Sequence, residues 1–114
     1  MMQVALTLRG YDVRAATSAS EAFEILATGE PNLLILDLML PLVSGWDVLG
    51  IRATIPSLLR IPTIVVTATD AYNQVDAAKH GVFAVLRKPF EPASLQNLAA
   101  SGLHAFAEQR GSGQ

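Results

Sequence analysis

Apolar positions fall in three short unbroken runs, and each run stops at a polar residue. Leu33-Leu34-Ile35-Leu36 ends at Asp37, Ile64-Val65-Val66 ends at Thr67, and Val82 to Leu86 ends at Arg87-Lys88-Pro89. A run of this length with no polar position reads as a strand covered on both faces, the habit of parallel sheets. The β-branched content of Thr63 to Thr67 strengthens that reading. Tyr11-Asp-Val-Arg-Ala-Ala-Thr17 instead alternates, which predicts a fourth strand.

Helical spacing fills the intervals. Val4, Ala5 and Leu8 share a face ahead of Gly10. Ser18 or Ser20 is placed to cap a helix over about Ala19 to Ala27, with Ala22, Phe23, Leu26 and Ala27 inward and Gly29 and Pro31 beyond its end. Ser44 to about Ile55 carries Trp46, Val48, Leu49 and Ile51 on a broad apolar side. Pro56 and Pro62 break the stretch that follows, although Leu58, Leu59 and Ile61 make it apolar for a connection. Asp70 to His80 reads as a weaker helix closed by Gly81. Glu91-Pro92-Ala93 opens a last helix whose buried side is Leu95, Leu98, Ala99, Leu103 and Phe106. Strands alternating with helices predict right-handed βαβ units and an α/β fold with a doubly wound parallel sheet. The domain is expected over residues 1–107, with a flexible tail over 108–114.

Composition narrows the function classes. A chain of 114 residues is one domain with room for one core. A net charge of −2 without a basic patch gives no footprint for direct nucleic-acid binding. There is no cysteine, so neither a disulfide framework nor a thiolate metal site exists. No apolar run approaches a membrane span.

The candidate chemistry lies at the strand ends. Parallel strands finish on one edge, so Asp37, Thr67 and Lys88 can converge there, where open α/β sheets place their ligands. A carboxylate, an ammonium and a hydroxyl together suit a phosphoryl group, with Asp37 as nucleophile and Lys88 and Thr67 holding the transferred oxygens. Each residue alone would be an ordinary strand-end group facing solvent. Trp46 reads as a packing residue, His80 as a helix-end group, and His104 and His80 are too far apart in sequence to suggest a metal site.

These residues resemble the response-regulator receiver domain of two-component signalling. The matching stretches are Asp37-Leu-Met-Leu-Pro41-Leu-Val-Ser-Gly45, Val65-Val-Thr67-Ala68, and Gly81 through Lys88-Pro89-Phe90; Tyr11-Asp12-Val13 and Ser20-Glu21-Ala22 also resemble the family's second strand and second helix. The resemblance implies a flavodoxin-like sheet of order 2-1-3-4-5. It implies that Asp37 accepts a phosphoryl group from a histidine kinase or phosphotransfer protein in a Mg²⁺-dependent reaction. Lys88 would pair with the phosphoryl oxygen, across what resembles the family's cis Lys88-Pro89 bond, and Thr67 would move to hydrogen-bond it. The Met39 backbone carbonyl would join Asp37 as a metal ligand, and Met39 and Thr69 would tune the rates. Such a domain is a substrate and switch more than an enzyme. It works in the cytoplasm, through an output domain or a homodimer formed by the last strand and its flanking helices.

Two features depart from the family pattern. The first, central strand and its acidic pair are absent from this sequence, which leaves the Mg²⁺ site incomplete; the expectation is a truncated reading begun at an internal methionine. The position of the family's switch aromatic is Val85, with Phe83 two residues earlier. A phosphorylation-independent pseudo-receiver is the alternative function. An aspartate-nucleophile phosphohydrolase fits less well, because Met39 stands where that chemistry wants a second acid.

Overall fold

The computed structural model describes residues 2–29, 31–38, 45–68 and 81–112. At its centre lie three parallel strands, β1 (Leu34–Asp37), β2 (Thr63–Thr67) and β3 (Ala84–Arg87), in the spatial order β1-β2-β3. They are the three unbroken apolar runs of the sequence. The most β-branched run takes the middle place, and all five of its residues are buried. Leu34 stands opposite Thr63 and Asp37 opposite Val66, while Ile64 faces Ala84 and Thr67 faces Arg87.

Among the described residues five helices surround the sheet: α1 (Met2–Thr7), α2 (Ala19–Thr28), α3 (Gly45–Arg52), α4 (Pro56–Leu59) and α5 (Pro92–Ser112). Strand alternation sorts the core into two layers. Leu36, Val65 and Val85 pack with Val48 and Leu49 of α3 and with Ala19 and Phe23 of α2. Ile35 and Leu86 point the other way, toward Leu6 of α1 and Leu95 and Ala99 of α5. Helices on both faces of a parallel sheet are the expected doubly wound arrangement. The strands described are the 3-4-5 part of the expected order.

The strand expected over Tyr11–Thr17 is not formed: residues 11–16 have no regular structure. Tyr11 and Val13 remain half-buried, packed toward Leu6 and Leu95, and Asp12 and Arg14 are exposed. The alternation therefore served burial, while a strand also needs a neighbour for its backbone groups. The Leu34 and Leu38 amides both donate to β2, to the carbonyls of Pro62 and Val66 at 3.0 and 2.9 Å. The pleat therefore aims the backbone groups of Ile35 away from β2, and β1 is an edge strand among the described residues.

Other differences are smaller. The stretch between Pro56 and Pro62 contains α4, with Pro56 at its first position, where a missing N–H is harmless. Helix α5 continues through 108–112, where a tail was expected: Glu108, Gln109 and Arg110 are good helix formers and carry the last turn past Gly111. Gly102 is buried in α5: a Cβ there would stand 3.0 Å from Leu33 Cδ1 and 3.6 Å from Phe83 and Pro62. The absent side chain lets α5 lie close to the start of the sheet. The Ser44 helix start and the helix expected over 70–80 lie outside the described residues.

Ser18 caps α2, and not Ser20. Its Oγ accepts from the Glu21 amide at 3.1 Å, and Glu21 Oε1 accepts in return from the Thr17 amide at 3.0 Å. Ser18→Ala is expected to destabilise the domain by about 1 kcal/mol, read as a lower urea midpoint at unchanged slope.

Candidate functional site at the carboxyl edge of the sheet

Asp37 is the last residue of β1 and is buried, 8% exposed. Its row across the sheet is Asp37, Val66, Leu86. Lys88 lies two residues past Leu86, so alternation returns it to the Asp37 face just beyond the end of β3. The Lys88 amide donates to the Thr67 carbonyl at 2.8 Å, which fixes the backbone from which the side chain reaches. Lys88 Nζ then donates to Asp37 Oδ2 at 2.7 Å, a short charge-assisted bond. The Asp37 side chain is closed in, while that of Lys88 is 38% exposed. The ammonium thus stands between the carboxylate and solvent. The Lys88-Pro89 peptide bond is cis, as the resemblance implied.

Thr67 closes β2 one row further on, opposite Arg87. It is fully buried, and its Oγ1 has no hydrogen-bond partner among the described residues. A buried hydroxyl without a partner is uncommon and carries a cost that a ligand oxygen can remove. All three strand-end residues therefore reach the same edge, with Asp37 and Lys88 in direct contact and Thr67 bonded to Lys88 through the backbone.

Met39 and Thr69 lie outside the described residues. Val85 packs into the core beside Leu36 and Val65, and Phe83 is 40% exposed at the start of β3. Among the described residues, no group of three His, Cys, Asp or Glu side chains is placed to hold a metal ion. Mg²⁺ takes six oxygens and relies on carboxylates. The Asp37 carboxylate, already bonded to Lys88, does not make such a set with the described residues. His104 pairs with Glu108 on the surface of α5, at 3.1 Å.

One buried residue escaped the sequence reading. Arg52, at the end of α3, is 1% exposed, and its Nη2 donates to the carbonyls of Ile61 at 3.0 Å and Gly81 at 3.2 Å. Burial lowers its pKa from the ordinary arginine value. Arg52 ties the entrances of β2 and β3 together at the edge opposite Asp37. A broad apolar groove lined by Leu26, Ile55, Leu58, Ile61 and Phe106 opens at that same far edge.

The comparisons with known proteins agree with this geometry. The family model described as "Response regulator receiver domain" matches residues 1–100. The transcriptional regulatory protein KdpE of Mycobacterium tuberculosis is 39% identical over 90 residues, 78% of this chain and 38% of that protein. The response regulator SaeR of Staphylococcus epidermidis is 34% identical over 87 residues, 75% of this chain and 37% of its own length. The chain thus spans less than two fifths of the length of these relatives. Among solved structures, a response regulator receiver domain protein from Clostridium thermocellum superposes with a TM-score of 0.76 at 25% identity, covering 91% of this chain and 83% of that one. The receiver domain of NtrX from Brucella abortus gives 0.79 at 23% identity, over 90% and 87% of the two chains, and shares the fold. With a family model matched over residues 1–100 and a relative 39% identical over 78% of its length, this chain belongs to the response-regulator receiver family.

Proposed function

We propose that Asp37 accepts a phosphoryl group from a histidine kinase or phosphotransfer protein in the cytoplasm, and that the modified domain changes its affinity for a downstream partner. The observation that carries this reading is the 2.7 Å contact between Lys88 Nζ and Asp37 Oδ2 at the carboxyl edge of the sheet. An Asp37 carboxylate oxygen forms the new O–P bond as the P–N bond of the donor's phosphohistidine breaks. The electron pair of that bond returns to the imidazole nitrogen. Lys88 turns its ammonium to the phosphoryl oxygens, with three N–H donors for them. The Thr67 hydroxyl, buried and without a hydrogen-bond partner among the described residues, gains an acceptor by moving toward the same oxygens, and that movement is what a partner reads.

The relatives described as transcriptional regulatory proteins are more than twice the length of the matched region. We place this domain as the regulated part of a similar arrangement, acting on an output domain or on a second copy through β3 and its flanking helices. It acts as substrate and switch, not as an enzyme with a separate turnover.

The test is transfer from a kinase carrying radiolabelled phosphohistidine. Label should move to the wild-type chain. Lys88→Met should slow the transfer by about 10²-fold, as for loss of one preorganised charge at a phosphoryl site, and leave the circular dichroism spectrum unchanged. A Lys88→Met chain labelled as fast as wild type would remove Lys88 from the chemistry.

A further inference from the structure

We infer that the residues of the Asp37 site in this chain do not fit a divalent cation, and that Lys88 is its resident positive charge. The inference rests on the receiver reading above and departs from it in one respect, since the receiver resemblance implies Mg²⁺. The departure comes from the donors. Mg²⁺ demands near-octahedral oxygen ligation at short range, and it is held by one or two carboxylates together with waters and phosphate oxygens. Among the described residues no group of three His, Cys, Asp or Glu side chains is placed to hold a metal ion. Asp12, the acid nearest the amino end, is exposed on the irregular segment 11–16, and Glu21 is engaged at the start of α2.

The Asp37 carboxylate is also committed. Its Oδ2 receives Lys88 at 2.7 Å, and its side chain is 7% exposed. A dication bound to that oxygen would sit beside an ammonium in a partly desolvated site, where like charges repel strongly. Lys88 itself satisfies what the reaction asks of a cation. It is fixed by its backbone bond to Thr67, and its side chain reaches both Asp37 and solvent, from where the ammonium can turn toward an incoming phosphoryl group. In this chain the ammonium and the Thr67 hydroxyl are the groups placed to meet the phosphoryl oxygens.

Two measurements on the intact 114-residue chain test this. The first is titration with Mn²⁺, read by the electron paramagnetic resonance signal of the free ion. No saturable binding is expected through the millimolar range. The second is intact mass after incubation with phosphoramidate, in EDTA and in Mg²⁺; uptake should differ by less than about twofold between them. Saturable Mn²⁺ binding that is lost in Asp37→Asn overturns the inference and leaves the phosphoacceptor reading standing. Uptake in Mg²⁺ but not in EDTA does the same. Absence of uptake in both solutions, with no Mn²⁺ bound, supports the metal-free site and defeats the phosphoacceptor reading instead.

Discussion

Asp37→Asn ends phosphoryl uptake, by at least about 10³-fold, while leaving the domain folded. The carboxylate is the attacking group, and an amide oxygen carries neither its charge nor its nucleophilicity. Asparagine keeps the shape and retains an oxygen that Lys88 Nζ can donate to, so the close contact at the end of β1 survives in neutral form. More than a third of the Lys88 side chain is exposed, and solvent screens the lost ion pair. The stability change should therefore stay within about 1 kcal/mol. Intact mass after exposure to a small phosphodonor reads the first effect, and urea unfolding reads the second. A variant that stays folded and still gains a phosphoryl group would place the chemistry elsewhere on the chain.

Arg52→Ala is expected to be the most damaging single change at the opposite edge. The guanidinium is 1% exposed and serves the carbonyls of Ile61 and Gly81, which precede β2 and β3. Bonds from a charged donor are worth about 1.5–3 kcal/mol each, and the truncation also leaves a cavity. A loss of about 3–5 kcal/mol is expected, a large share of the stability of a domain this size. Arg52→Met separates the two causes, because it restores volume without the donors. Its urea midpoint should fall between those of wild type and Arg52→Ala. Phosphoryl uptake per folded molecule should be unchanged in Arg52→Met, since its bonds lie at the far edge from Asp37. A midpoint for Arg52→Ala equal to wild type would mean that the buried guanidinium contributes nothing net.

Much of this was legible in the sequence because the sheet is parallel. Both of its faces are covered, so its strands appear as unbroken apolar runs, and the polar residues that follow each run mark the edge of the candidate site. Asp37, Thr67 and Lys88 stood out for that reason alone. What stayed hidden depends on partners distant in the chain. Tyr11 to Ala16 alternates as a strand would, but alternation describes which side chains are covered and not whether a neighbour accepts the backbone bonds. Arg52 looks like any helix-end arginine until Ile61 and Gly81 are brought around it. The four-residue α4 is too short to show a helical period, and only Pro56 at its start was a signal. Gly102 resembles a helix-weakening glycine until Leu33 is found 3.0 Å from where its Cβ would be. The pairing of Asp37 with Lys88 came only with the geometry, which also gathers no group of three acid, imidazole or thiol side chains for a metal among the described residues.

The most direct measurement of the central claim is to trap the modified residue. The chain is phosphorylated, reduced with borohydride and digested, and its peptides are sequenced by mass spectrometry. Reduction converts an aspartyl phosphate to homoserine. The account predicts homoserine at position 37 and at no other position. Homoserine elsewhere, or a phosphoryl group found intact on a serine, threonine or histidine with Asp37 unchanged, would contradict it.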